Sequence, residues 1–362
     1  MQQQQHIGCQ RLHKLRNFLA ANDVSAALIM KPENRHYFSG FSGSAGALII
    51  TAAEAMLITD FRYLEQAKQQ SSDFHLICQS PGLYETIAHH LLTLKLSSVA
   101  FEADYVTWET FHKLQNLVPH AKLVPHKLDT LRMVKDAGEL SALQTAAEIA
   151  DKTFSHIVTF IRPGLTEIEV AWEIEATMRR LGAEKSAFDI IVASGIRSAL
   201  PHGRASDKVI NAGDFVTMDF GAVYKGYHSD ITRTVVMGQA DGQQRNIYNT
   251  VLKAQLAALD SLRAGKTGKE VDSVARNIIT DAGYGANFGH GLGHGVGLVI
   301  HEEPRLSPAG EVVLDSNMTV TVEPGIYLTG WGGVRIEDTV VVESGGCRIL
   351  TASTKHLIEI AV

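Results

Sequence analysis

Residues 289–304 read GHGLGHGVGLVIHEEP. Three histidines and five glycines share these sixteen positions. So many glycines argue against a helix, and they let a backbone or a ligand approach closely. Imidazoles carried on such a backbone suit metal ligation or contact with a substrate. On an extended strand His290, Leu292 and His294 would point the same way. One histidine can then ligate while another reaches over the metal toward a substrate. His301 closes the segment, and His202 stands in LPHGRAS. Each precedes a hairpin rich in acids, and the two would flank the metals as related partners.

The acids are organised by an internal repeat. RPGLTEIEV (162–170) matches RAGKTGKEV (263–271), VTMDFG (216–221) matches VTVEPG (320–325), and DITRTVV (230–236) aligns with EDTVVVE (337–343). Asp219 thus corresponds to Glu323, and Asp230 to Glu337. With Lys225-Gly226 as a two-residue turn, Tyr224 faces Tyr227 and Gly221 faces Asp230. Asp219 and Asp230 then lie diagonally on one face of the hairpin. Four carboxylates converging from two such hairpins would repel one another in a buried site unless cations neutralised them. Two divalent ions with bridging carboxylates meet that need. Hard oxygen donors plus one imidazole favour Mn²⁺, Co²⁺, Zn²⁺ or Fe²⁺ over a thiolate zinc site. Arg335 sits on the same strand face as Glu337, where it can orient a ligating carboxylate or bind a substrate carboxylate. Asp338 points away and is assigned a structural role.

The elements that must position these groups fall into an α+β chain of two domains. In residues 1–128, strand-like runs (VSAALIM, GALIIT, AMLITD, FHLICQ, SSVAFEAD, AKLVPH) alternate with helical ones, including WETFHKLQNLV after Thr107 as N-cap. The loop SGFSGSAG is a tight turn and no phosphate cradle. Residues 129–362 open on an amphipathic stretch, Leu131 to Phe160. The repeat then builds one domain from two related halves about a pseudo-twofold axis. Each half has a helix begun by a T-x-x-E capping box, Thr166 with Glu169 and Thr267 with Glu270, and ended near Gly182 or Gly283. The chain has 362 residues and a net charge of −6. With no basic run, nucleic acid is an improbable partner. No apolar run spans a membrane, and no leader peptide is evident. The glutamines of MQQQQ read as a frayed tail. Cys9, Cys78 and Cys347 are scattered and fit free thiols in a reducing cytoplasm.

LPHG, VTMDFGAVYKGYHSDITRT, HGLGHGVGLVIHEEPR, TVEPGIY and GVRIEDT together resemble the pita-bread metallopeptidases, a group that includes methionine aminopeptidase, aminopeptidase P, prolidase and creatinase. The resemblance runs from about residue 130 onward. Residues 1–128, with TDFRYLEQA, look like the α/β domain appended to creatinase and prolidase, which points to the proline-specific branch. The resemblance implies that Asp219, Asp230, His294, Glu323 and Glu337 bind two metals, Mn²⁺ first among them, with Asp230 and Glu337 bridging. It implies that His202, His290, His301 and Arg335 line the substrate site. It also suggests a homodimer.

The implied activity is hydrolysis of an Xaa-Pro bond at the N-terminus of dipeptides or short peptides. Xaa-Pro aminopeptidase action on longer peptides is the alternative, and an inactive binding module of the same fold a further one. Two metals would lower the pKa of a water, Glu323 would shuttle protons, and His290 and His301 would stabilise the oxyanion or the leaving nitrogen. Proline offers no N–H, so the pocket must read ring shape and, in a dipeptide, the terminal carboxylate.

Overall fold

A computed structural model describes residues 2–362, and the side chains of all of these except residues 2–7 and 9. The backbone is helical over Gln2–Ala21, so the glutamines expected to fray belong to a helix. Cys9 lies outside the described side chains, and Cys78 and Cys347 are free. The chain divides into two compact units, Met1–Arg132 and Met133–Val362. The boundary follows a 3-10 turn, Leu128–Arg132.

The first unit is a six-stranded mixed sheet. Its order is His75–Cys78, Ala55–Thr59, Ala47–Thr51, Ala26–Ile29, Ser98–Glu102, Lys122–His126. Helices pack on it, among them Trp108–Leu117, whose N-cap Thr107 accepts the Thr110 amide.

The second unit carries the repeat. The helix Ala137–Phe160 starts later than its amphipathic stretch, on a capping box formed by Asp136 and Glu139. Helices Glu167–Arg180 and Gly268–Asp281 both begin on the expected Thr/Glu boxes, and both N-caps have φ −85° and ψ 156°. Identical caps at repeated positions are what a duplicated element should show. Gly182 and Gly283 follow the two helices with φ 102° and 89°, the left-handed geometry that glycine adopts at no steric cost.

Each half also supplies a sheet. In the first half, Phe215–Phe220 pairs antiparallel with Ile231–Met237, and Ile191–Ser194 flanks it. The outer edge of Ile231–Met237 is taken by Glu359–Ile360, which runs parallel to it. In the second half, Thr319–Val322 pairs with Asp338–Val342, beside Gly293–Gly295 and Glu302–Leu306. Alternation decides which residues reach the site. Val216, Met218, Phe220, Ile231 and Val235 join a core with the first helix pair. Val320, Val322, Val340 and Val342 do the same in the second half. Thr217, Asp219, Asp230 and Thr232 therefore face the other way, as do Thr321, Glu323 and Glu337. Thr217 and Thr234 meet there, hydroxyl to hydroxyl, at 3.0 Å.

Candidate metal centre and active site

The first hairpin has the expected register. Tyr224 pairs with Tyr227 and Asp219 with Thr232. Lys225 and Gly226 have φ 49° and 80°, as a two-residue primed turn demands. Asp219 and Asp230 are thus diagonal neighbours. The second hairpin differs. Val322 faces Asp338, so the next positions in that register, Glu323 and Glu337, stand opposite each other. The two hairpins therefore place their acids differently, diagonally in the first half and opposite each other in the second.

These acids and the histidines line one cavity of about 570 Å³, which holds Asp219, Asp230, Glu323 and Glu337 with His202, His290, His294, His301 and Arg335. Oxygens of Asp230 and Glu337 and a ring nitrogen of His294 lie within 4.8 Å of one another. His294 Nε2 is 3.6 Å from Asp230 Oδ2 and 3.3 Å from Glu323 Oε1. Its Nδ1 is 3.1 Å from the Gly295 carbonyl. A carbonyl accepts only, so Nδ1 carries the proton and Nε2 turns a lone pair toward the carboxylates.

Three observations suit divalent cations. A lone pair facing two carboxylates offers a mixed nitrogen–oxygen donor set to a cation. Asp219 Oδ1 is buried without a partner, an orphan that a metal bond would satisfy. Lastly, the acids crowd one another. Burial, then the charges of Glu337, Asp219 and Glu323, hold the Asp230 carboxyl well above its usual range. Burial and the neighbouring Glu323 and Asp219 do the same to Glu337. Glu323 is pushed up to about 7 by burial, with Asp219 adding to the effect and Arg335 opposing it. Bound cations would replace those protons.

Two expectations need correction. Leu292 does not share a direction with His290 and His294. It is fully buried in the core of the second half, while both histidines face the cavity. Only Gly293–Gly295 is strand, and burying a leucine stabilises by roughly 2 kcal/mol, more than soft glycine torsions cost to redirect. Arg335 does not present a free guanidinium to a substrate. It donates to Asp219 Oδ2 at 2.6 Å, the Tyr327 hydroxyl at 2.9 Å, the Pro201 carbonyl at 3.1 Å and Thr232 Oγ1 at 3.0 Å. Of its two anticipated roles, the geometry carries the orienting one. Asp338 takes Arg233, Lys355, Gln255 and Thr351 on the core side, as a structural acid would.

His290 is held between the Gly291 carbonyl at Nδ1, 2.8 Å, and the Tyr327 hydroxyl at Nε2, 2.9 Å. The tautomer follows as before, so Tyr327 donates to Nε2 and accepts from Arg335. Burial lowers His290 to about 4 and His294 to about 3, which keeps both neutral near pH 7. The His301 ring lies edge-on to His294 at 4.3 Å, and burial with Arg305 lowers its pKa.

Sequence reasoning missed the supports. Thr232 Oγ1 donates to Glu337 Oε2 at 2.7 Å. Thr321 Oγ1 donates to Glu323 Oε1 at 3.1 Å and accepts the His294 amide. Alternation along the strands could have found both threonines. Tyr327 has no such signal. Arg305, also missed, lines the cavity as a cation.

The carboxylate–imidazole cluster set between duplicated hairpins suits divalent cations, and the chain belongs to metallopeptidase family M24, whose model matches residues 141–344. Residues 11–134 match the Creatinase/Prolidase N-terminal domain. It is a hydrolase of that family with prolidase-like relatives. The Xaa-Pro dipeptidase of Pyrococcus furiosus is 43% identical over 350 residues, 96% of this chain and 99% of that protein. The structure of Xaa-Pro dipeptidase from Bacillus anthracis matches at a TM-score of 0.95 and 44% identity, covering 98% and 100% of the two chains. That of X-Pro aminopeptidase from Thermotoga maritima MSB8 matches at 0.90 and 42%, covering 97% and 100%. No described helix is long and apolar enough to cross a membrane.

Proposed function

We propose that the protein hydrolyses the Xaa-Pro bond at the N-terminus of dipeptides or short peptides, with two divalent cations, Mn²⁺ foremost, held by Asp219, Asp230, His294, Glu323 and Glu337. The observation that carries this reading is that all five donors line one cavity, in a chain whose relatives include proteins named Xaa-Pro dipeptidase. Asp230 and Glu337, whose oxygens lie within 4.8 Å of one another and of a His294 ring nitrogen, would be central among the residues that hold the cations. The cations, when bound, would polarise the scissile carbonyl and acidify water.

The remaining work falls to the chain. Glu323 would accept a proton from the attacking water and return it to the leaving proline nitrogen. His301 and His202 border the cavity and donate to the carbonyl oxygen as charge develops on it. His290 lies on the same wall and keeps its ring aligned through Tyr327. Arg335 fixes Asp219 rather than gripping substrate. Arg305 offers a cation for the free carboxylate of a dipeptide. The proline ring supplies no N–H to the site, so shape governs its recognition.

A panel of Ala-Pro, Ala-Pro-Ala and Ala-Ala with added Mn²⁺ tests the reading. Ala-Pro should be cleaved and Ala-Ala left intact. Faster cleavage of Ala-Pro-Ala would favour the aminopeptidase alternative, in keeping with the Thermotoga relative's name. A metal-free protein inert to all three would favour a binding module.

A further inference from the structure

The histidine segment is fastened from behind by the helix Gly268–Asp281. Asp272 on that helix is 1% exposed. Its carboxylate receives Arg276 Nε and Nη2 at 2.7 and 2.8 Å and the Leu292 amide at 3.0 Å. The same guanidinium donates to the Phe288 carbonyl at 3.0 Å and the His290 carbonyl at 2.8 Å. It also lies 4.3 Å over the Phe288 ring. That ring meets the His290 imidazole edge-on, 5.1 Å away at 87°. One ion pair thus holds the backbone of residues 288, 290 and 292 and, through Phe288, touches the imidazole itself.

The repeat provides an internal control. In the first half, Asp272 and Arg276 correspond to Ala171 and Glu175. The helix Glu167–Arg180 has the same length and the same N-cap geometry. Its Ala171 is buried in the core, and its Glu175 pairs with Arg179 at the surface. That helix is instead anchored at its start, where the buried Glu167 takes Arg197 and Ser194, a position that Gly268 fills in the second half. At the two equivalent positions an acid–base pair faces the following segment only in the half whose next segment bears His290 and His294.

We propose that Asp272 and Arg276 are positioning residues for His290. Glycines at 289 and 291 leave the torsions on either side of His290 soft. Charge-assisted bonds from a bidentate pair remove that freedom. The carbonyl of His290 is pinned to the helix, and its side chain is delivered to Tyr327 at the wall of the cavity. The proposal rests on His290 facing substrate in an Xaa-Pro peptidase.

The test uses the full Mn²⁺-loaded protein with Arg276→Met, Arg276→Lys, His290→Ala and the Arg276→Met/His290→Ala pair. Steady-state kinetics on Ala-Pro, metal content and hydrogen exchange across residues 286–293 are read for each. Arg276→Met should lower kcat by about 10- to 100-fold through misplacement, with KM within about threefold and metal content unchanged. Arg276→Lys should recover part of the loss. In the double variant, Arg276→Met should add no more than about twofold to the His290→Ala defect. Exchange should quicken at residues 288–292 and stay unchanged in the rest of the helix. Wild-type kcat in Arg276→Met, full activity in His290→Ala, or fully multiplying losses in the pair would overturn the proposal. If the wild type fails to cleave Ala-Pro, the substrate reading falls and exchange alone decides: lost protection supports the clamp, and unchanged protection overturns it.

Discussion

At the scale of single residues, the site is a problem in placing negative charge. Asp230 sits in the field of Glu337, Asp219 and Glu323, and Glu337 in that of Glu323 and Asp219, all in a buried cavity. Asp230→Asn and Glu337→Gln should each lose metal as well as turnover, because a neutral amide bridges two cations poorly. Metal analysis alongside kinetics checks this, and normal metal with normal turnover would refute the bridging assignment. The histidines should separate. His294→Ala removes the Nε2 donor and should lower metal occupancy and activity together. His290→Ala should keep both metals while kcat/KM falls by up to about a hundredfold, because the wall that orients the peptide is lost. Much of this was legible before the fold was known. Acid types and repeat offsets picked out Asp219, Asp230, Glu323 and Glu337 because alternation on a strand is rigid. Arg335's partners were not legible. Pro201, Asp219 and Thr232 are more than a hundred residues from it in sequence, and no local rule reports such distances.

At the scale of elements, the capping boxes and the Lys225-Gly226 turn were readable because they rest on local hydrogen bonds and torsions. The direction of Leu292 was not, since a glycine-rich segment obeys neither period. That segment also shows how tightly the strands are set. A Cβ on Gly293 would lie 1.9 Å from the Thr321 carbonyl oxygen. Gly293→Ala should force the neighbouring strands apart and displace His294 rather than simply obstruct the cavity. The expected outcome is a lower Tm together with reduced metal content, read by calorimetry and metal titration. A stable variant with full metal and raised KM would show obstruction instead. Thr267→Ala should be milder. It deletes one cap bond to the Glu270 amide, worth about 1 kcal/mol, and should lower Tm without touching metal content.

At the scale of the whole molecule, the two units should answer to different variables. Metal held by the proposed ligands would stabilise the folded second unit, so chelation should lower its melting transition and abolish hydrolysis. A hundredfold excess of free metal over Kd is worth about 2.7 kcal/mol. Calorimetry with and without chelator, followed by Mn²⁺ or Co²⁺ restoration, checks both effects, and full activity without metal would refute them. The first unit carries a pH dependence of its own. Glu102 is fully buried, and burial lifts its carboxyl to about 7 against the opposing bonds from Lys31, Asn34 and Met30. The folded state therefore binds the Glu102 proton more tightly than the unfolded one. Its contribution is full below about pH 4.5 and is lost as pH rises through about 7. The span is on the order of 3 kcal/mol. Glu102→Gln should flatten that slope in denaturant titrations, and an unchanged slope would assign it to another group.

The strand Glu359–Ile360 along Ile231–Met237 bears on synthesis. Its backbone bonds, from Val236 to Ile358 and from Gly238 to Ile360, close one end of the outer edge of Ile231–Met237 in the first half's sheet, while the Glu337 amide takes the Thr232 carbonyl nearer the other. A ribosome makes that sheet well before it makes residues 358–360. During the interval a nascent chain displays an apolar strand with unpaired amides and carbonyls, the kind of edge that recruits other strands. Chaperone demand should therefore last until residues 358–360 have emerged. Chains arrested at residue 356 should self-associate through Ile231–Met237, whereas chains arrested at residue 132, carrying only the first unit, should not.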